Sequence, residues 1–222
     1  MNQQSVSQDL VLDYLSLRKA VGIIGVALPA VLALGNMILH GAGIQPSISL
    51  YYYTDLRNVF VGSLCAIGVF LMSTKGYDKR DRIFGILASM FAIGVALFPT
   101  SPESAATPEE QIIGALHLTF ATLLFLTFAY FCFKLFTLTA GNPTQRKLHR
   151  NTVYRVCGTI IVACIVLIAA VHLPSIAKLA APLSPVFWLE AIAVMTFGVA
   201  WLTKGEAILK DEEQAGAAGA GK

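Results

Sequence analysis

Six long stretches of mostly apolar residues constrain this chain more than any other feature. A helix needs about 20 such residues to cross the hydrocarbon core of a bilayer. The stretches cover approximately residues 20–40, 56–73, 83–99, 111–133, 156–172 and 185–203. Within hydrocarbon each unpaired backbone N–H or C=O group costs several kcal/mol, which favours helices over strands. The sequence therefore predicts an all-α protein, a polytopic bundle of six transmembrane helices formed by residues 20–204.

The composition excludes two other classes of protein. Charged residues make up 13% of the chain and hydrophobic residues 56%, whereas an ordinary soluble domain has about 25% charged residues. A disordered chain needs low hydrophobicity and high charge. A nucleic-acid-binding protein needs a dense basic surface, and the net charge here is only +3. The expected partners are therefore membrane lipids rather than nucleic acid, and small residues in the spans would also allow a homo-oligomer.

The distribution of basic residues predicts the orientation of the bundle. Fourteen of the 16 Lys and Arg residues precede span one, follow span six, or lie between spans two and three or four and five. Only Arg57 and Lys178 fall on the opposite side. Because cytoplasmic segments of membrane proteins carry the excess of Lys and Arg, both termini are predicted to be cytoplasmic.

The segments outside the spans are short. Residues 1–19 form a cytoplasmic segment whose stripe of Leu10, Val11, Tyr14 and Leu15 is typical of a helix lying on the membrane surface. Residues 205–222 are rich in Ala and Gly and are expected to be a flexible tail. Before span four, Thr107 and Glu110 have the spacing of a helix capping box, with Pro108 at the first helical position.

Polar side chains within the spans concentrate near the predicted outer face. Charge inside a span is costly, so such residues are the first candidates for function. The group consists of Asn36, His40, Asp55, Arg57, Asn58, His117, His172 and Glu190. We expect an outward-facing polar pocket lined by five of them: Asp55, Arg57, Asn58, His117 and Glu190. The leading hypothesis is that this pocket binds or transports a lipid headgroup or a small polar solute.

The face of span two that lines this pocket follows from helical spacing. Asp55, Asn58 and Gly62 share one face, which we expect to look into the bundle. Gly62 and Ala66 on span two would permit a close approach of another helix. Arg57 points the other way, either towards headgroups or into an ion pair with Glu190.

Several short segments resemble a known group of proteins. They are residues 47–62 (SISLYYYTDLRNVFVG), 76–78 (GYD), 95–100 (VALFPT) and 114–117 (GALH). Together they resemble a family of small bacterial inner-membrane proteins with six spans and a domain of unknown function. The resemblance covers about residues 20–136 and implies a location in the bacterial inner membrane, without implying an activity.

A more remote similarity is to the alkaline-ceramidase-like membrane hydrolases, which hold zinc with three His residues beside Ser and Asp. That similarity implies zinc ligation by His40, His117 and His172, with Asp55 or Glu190 as the base. This chain departs from the family in having six spans rather than seven and no HxxxH motif in the last. The same three histidines also allow a third hypothesis, haem ligation by two His residues on different spans.

Overall fold

All regular structure in the described part of the chain is helical. The computed structural model describes residues 3–73, 79–103, 106–139 and 141–209. Its helices are α1 (Gln3–His40), α2 (Arg57–Ser73), α3 (Lys79–Leu97), α4 (Pro108–Tyr130), α5 (Gln145–Val171), α6 (Pro174–Ala180) and α7 (Pro185–Lys204). Two 3-10 turns cover Ser49–Tyr53 and Ala181–Leu183, and a π-helical turn at Phe131–Leu135 continues α4. The predicted all-α class is confirmed.

Among the residues that the structure describes, four helical segments are long and apolar enough to cross a membrane. They are Leu15–His40, Pro108–Leu135, Gln145–Val171 and Pro185–Lys204. The other two predicted spans, 56–73 and 83–99, coincide with α2 and α3. Helix α2 is apolar but has only 17 residues, a length of about 26 Å at 1.5 Å per residue. Helix α3 has 19 residues, and four charged ones stand at its start.

The six long helices form a closed ring. Helix α1 packs against α2, α2 against α3, α3 against α4, and α4 against α5. Helix α5 then packs against α7, and α7 packs against α1. Neighbours in sequence are thus neighbours in space, as expected for helices joined by short connections. The largest side chains of the core point into this ring. They include Phe60 of α2, Phe128 of α4 and Phe197 of α7, each 3% exposed or less.

Helices α1 and α7 approach closely because glycines face each other. A Cβ atom added to Gly198 would lie 2.8 Å from the Gly22 carbonyl oxygen and 2.8 Å from the Val26 nitrogen. At Gly62, where the sequence suggested close packing, a Cβ atom would meet nothing within 4 Å. That expectation is wrong, because the close contact between small residues is formed by α1 and α7 and not by this face of α2.

The start of α4 has the predicted capping box. The Thr107 hydroxyl accepts a hydrogen bond from the Glu110 backbone N–H at 3.2 Å, and the Glu110 carboxylate accepts one from the Thr107 N–H at 2.8 Å. Two of the free N–H groups at this helix start are thereby satisfied. The prediction is confirmed.

The structure describes most of the N-terminal segment and only the first part of the C-terminal one. Helix α1 continues without a break from Gln3 through the first span, so residues 3–19 do not form a separate helix. Residues 205–209 follow α7 as a series of turns and bends. The rest of the predicted flexible tail, residues 210–222, lies outside the described residues.

We predict that Gly198→Ala lowers the free energy of unfolding by about 1–3 kcal/mol, the usual range for overpacking a tight contact. The added methyl group must displace backbone atoms of α1 rather than a flexible side chain. Thermal unfolding in detergent micelles measures the effect. Gly62→Ala is the matched control and should leave stability unchanged or slightly raise it, since Ala has the higher helix propensity. Equal stability of the two variants would contradict the tight α1–α7 contact.

Candidate functional site

The loop between α1 and α2, residues 41–56, folds back over one end of the ring, which we call the loop end. Four of its residues are buried: Ile48, Ser49, Tyr51 and Leu56. Asn36 on α1 is 2% exposed and donates a hydrogen bond from Nδ2 to the Gly43 carbonyl at 2.7 Å. A buried non-helical segment needs protein partners for its backbone polar groups, and α1 supplies one of them.

Helix α7 holds the same loop through its first turns. The Phe187 backbone N–H donates to the Pro46 carbonyl at 2.9 Å. One turn further, Glu190 accepts a hydrogen bond on Oε2 from the Ile48 N–H at 2.7 Å, and the Ser49 backbone N–H also interacts with this carboxyl group. The loop backbone is therefore bound to α7 on both sides of Ser47.

His117 of α4 connects the loop to the end of α3. The side chain is 3% exposed, and its ring nitrogen Nδ1 lies 2.6 Å from the Phe98 carbonyl oxygen. Since a carbonyl oxygen only accepts, Nδ1 carries the proton. In the neutral imidazole Nε2 is then an acceptor, and it receives the Ser49 hydroxyl hydrogen at an Nε2–Oγ distance of 2.9 Å.

Two tyrosines complete the packing of the loop. The Tyr51 hydroxyl accepts from the Gln45 N–H at 3.4 Å, and the Tyr53 hydroxyl donates to the Thr100 carbonyl at 2.6 Å. Burial raises the pKa of Tyr51 above 10.0. Burial, followed by the negative charge of Glu110, raises the pKa of Tyr53. Both hydroxyls are therefore protonated at neutral pH and serve as hydrogen-bonding groups.

A cavity of about 50 Å³ lies inside the ring beneath the loop and is partly open. Its walls come from the loop and from α1, α2, α3, α4 and α7, and include Leu28, Phe60, Leu64, Val95, Leu124 and Val194. Only Ser49 and Glu190 among its lining residues are polar. The cavity is thus an apolar chamber with one serine and one glutamate among its lining residues.

The three predicted pocket residues on or next to α2 do not reach this cavity. The Asp55 side chain is 79% exposed, and its carboxylate pairs with Nε2 of His40 at 3.2 Å. Arg57 is exposed, donates a hydrogen bond to the Tyr52 hydroxyl and lies 4.1 Å from the centre of the Tyr52 ring. Asn58 is exposed as well. Arg57 therefore pairs with a tyrosine and not with Glu190.

The expected orientation of α2 is wrong for a simple reason. The helix buries its large apolar side chains Phe60, Leu64, Ile67 and Leu71, and the face with Asn58 and Gly62 is exposed. Lipid tails are as apolar as these side chains, so van der Waals packing sets the rotation of a helix in a bilayer, and large side chains make the most such contacts inside the ring. Packing within the ring therefore decides the orientation of α2, against the placement suggested by its polar residues.

The three histidines considered as metal ligands lie in separate environments. His40 pairs with Asp55, His117 bonds to Ser49 and Phe98, and His172 is exposed and donates from Nδ1 to the Ile168 carbonyl of its own helix at 2.7 Å. Within residues 3–73, 79–103, 106–139 and 141–209, no three His, Cys, Asp or Glu residues are close enough to hold a metal ion. The structure thus does not bring the three histidines together, nor does it leave His117 a nitrogen free for haem.

Sequence reasoning identified His117 and Glu190 but missed Ser49. Glu190 lines the cavity, and His117 bonds to Ser49, which lines it as well. A signal was present in the sequence, since residues 48–53 between two spans are mostly apolar and aromatic. A connection of that composition favours packing against the helices, because apolar and aromatic side chains are more often buried than polar ones.

Comparison with known protein families, with curated proteins and with solved structures finds no match to this chain. Function must therefore be inferred from the site itself, through the geometry and chemistry of its residues.

We predict that His117→Ala lowers the free energy of unfolding by about 1–3 kcal/mol, because the Phe98 carbonyl and the Ser49 hydroxyl lose a buried partner. Chemical unfolding in detergent micelles measures this loss. His172→Ala is the control, since that side chain is exposed and bonds only to its own helix. A loss of the same size in both variants would argue against His117 as the link between the loop and the bundle.

Proposed function

We propose that this chain is a six-span protein of the bacterial inner membrane, with both termini in the cytoplasm, which binds a lipid in its central cavity. The observation that carries the proposal is the cavity itself, an apolar chamber inside the ring with Ser49 and Glu190 as its polar groups. Apolar walls with a few placed polar groups are typical of sites for small amphipathic ligands.

The ends of the ring support the proposed orientation. Arg18 and Arg150 lie at the end opposite the loop, with exposures of 8% and 7%. At the same end Arg18 donates to the Lys204 carbonyl at 3.4 Å, and Lys147 donates to the Phe136 carbonyl at 2.9 Å. This concentration of basic groups favours the cytoplasmic side for that end. The loop end then faces outwards.

The lining favours a lipid over a polar solute. A cavity holds one water-sized group for about every 10–15 Å³ of its volume. The volume of about 50 Å³ therefore has room for a few such groups, which is a short length of alkyl chain. A polar solute would leave most of its hydrogen-bonding groups without partners against these walls, at a cost of about 1–3 kcal/mol for each group. The hydroxyl and carboxyl groups of the cavity suit the polar end of an amphipathic molecule.

We predict that Ala121→Phe abolishes lipid retention. Ala121 lines the cavity, and a phenyl ring there would occupy the volume that an alkyl chain needs. Native mass spectrometry of protein released from a mild detergent measures the effect, and the wild type should show a lipid adduct that the variant lacks. Ala163→Phe is the matched control, because Ala163 is exposed on α5, a helix that does not line the cavity. Loss of the adduct in both variants, or its absence from the wild type, would contradict the proposal.

The orientation is tested with reporter fusions. A fluorescent protein that folds only in the cytoplasm should fluoresce when fused after Lys222. Alkaline phosphatase, which needs disulfides formed outside the cytoplasm, should be active when fused after Gly43 in the α1–α2 loop and inactive after Lys222. The reverse pattern would place the termini outside.

A further inference from the structure

We propose that Ser49 is a nucleophile activated by His117 and that it cleaves acyl esters bound in the central cavity. The inference rests on the proposed function, since it takes the lipid in the cavity as its substrate. Ser49 Oγ lies 2.9 Å from Nε2 of His117, within the range of 2.6–3.2 Å expected between a nucleophile and its general base. Ser49 also lines the cavity, which places this residue next to the space for an acyl chain.

The third member of such a site is the group that orients the base. Here the Phe98 carbonyl accepts the Nδ1 proton at 2.6 Å, which fixes the tautomer with Nε2 directed at Ser49. In hydrolases of the Ser–His–Asp type a carboxylate has this role. Phe98 directly follows α3, and its N–H bonds to the Gly94 carbonyl. Its oxygen therefore lies at the negative end of a helix, which favours the imidazolium that forms when His117 takes a proton.

Glu190 is a positioning residue in this arrangement. Its carboxyl group binds the Ile48 N–H at 2.7 Å and so fixes the backbone immediately before the nucleophile. Glu190 touches the Ser49 backbone rather than its hydroxyl. It therefore acts on Ser49 through the position of the loop.

The reaction follows from these contacts and uses water as its only co-reactant. Ser49 Oγ forms a bond to the ester carbonyl carbon while His117 Nε2 takes the hydroxyl proton. The bond between the carbonyl carbon and the alcohol oxygen then breaks, and the alcohol leaves with the proton from His117. Water next attacks the acyl-Ser49 ester, gives one proton to His117, and releases the carboxylic acid as that proton returns to Ser49 Oγ.

The cavity size sets the class of substrate. The volume of about 50 Å³ accommodates a short acyl chain or the first few carbons of a longer one. Esters with flexible, unbranched acyl groups should therefore react faster than esters with stiff or bulky ones.

The test is covalent labelling of the full chain in mild detergent with an alkyl fluorophosphonate, which phosphonylates activated serines. Intact-mass measurement should show one adduct in the wild type, and peptide mapping should locate it at Ser49. Ser49→Ala should remove the adduct, and His117→Gln should slow labelling at least 100-fold, within the usual contribution of a general base. Ser89→Ala is the matched control, because Ser89 is also buried, at 2% exposure, but does not line the cavity.

Two further measurements keep the result interpretable if His117→Gln fails to fold. The labelling rate of the wild type should rise with pH through a single ionisation, as expected for an imidazole base. The wild type should also hydrolyse p-nitrophenyl butyrate, and Ser49→Ala should not. The assignment of Ser49 as the nucleophile is wrong if folded wild-type protein forms no adduct, or forms its adduct at another residue. If such protein still retains lipid, the proposed lipid site stands and only the chemistry assigned to Ser49 fails.

Discussion

The structure depends on the polar contacts that hold a non-helical loop inside a helical membrane protein. Within a bilayer, backbone groups outside helices must find partners in the protein itself. Asn36 of α1 and Glu190 of α7 meet this requirement for the α1–α2 loop by binding the Gly43 carbonyl and the Ile48 N–H, and His117 of α4 accepts the hydroxyl hydrogen of Ser49 in the same loop. Three helices that are distant in sequence are thereby connected through one segment, and the loop end of the ring is fixed.

This arrangement also places the loop at the cavity. The aromatic rings of Phe128 and Phe197 stack with centroids 3.5 Å apart, and both residues line the cavity together with Ser49 of the loop. The polar groups that anchor the loop and the groups that face the cavity are partly the same, Ser49 and Glu190. A structural connection and a candidate reactive site therefore coincide at these two residues.

The sequence could predict those residues of the site that are polar and lie inside a long apolar span. His117 and Glu190 interrupt long apolar runs, and a polar residue there needs an internal partner whatever the packing. Asp55, Arg57 and Asn58 lie at the end of a span, where a side chain can face the bundle or the membrane surface at similar cost. Their placement away from the cavity follows from the rotation of α2, which its large apolar residues decide.

The sequence by itself determined the helical class, the four spans that meet the length and hydropathy criteria, and the start of α4 at its capping box. Each of these depends on local chemistry. A span needs an apolar run long enough to cross the bilayer, and the capping box needs hydrogen bonds between residues within one helical turn. Tertiary structure alone decided the closure of α7 on α1 through Gly22 and Gly198, and the approach of Ser49 to His117. The latter two residues are 68 positions apart, and nothing short of packing the whole ring brings them within hydrogen-bonding distance.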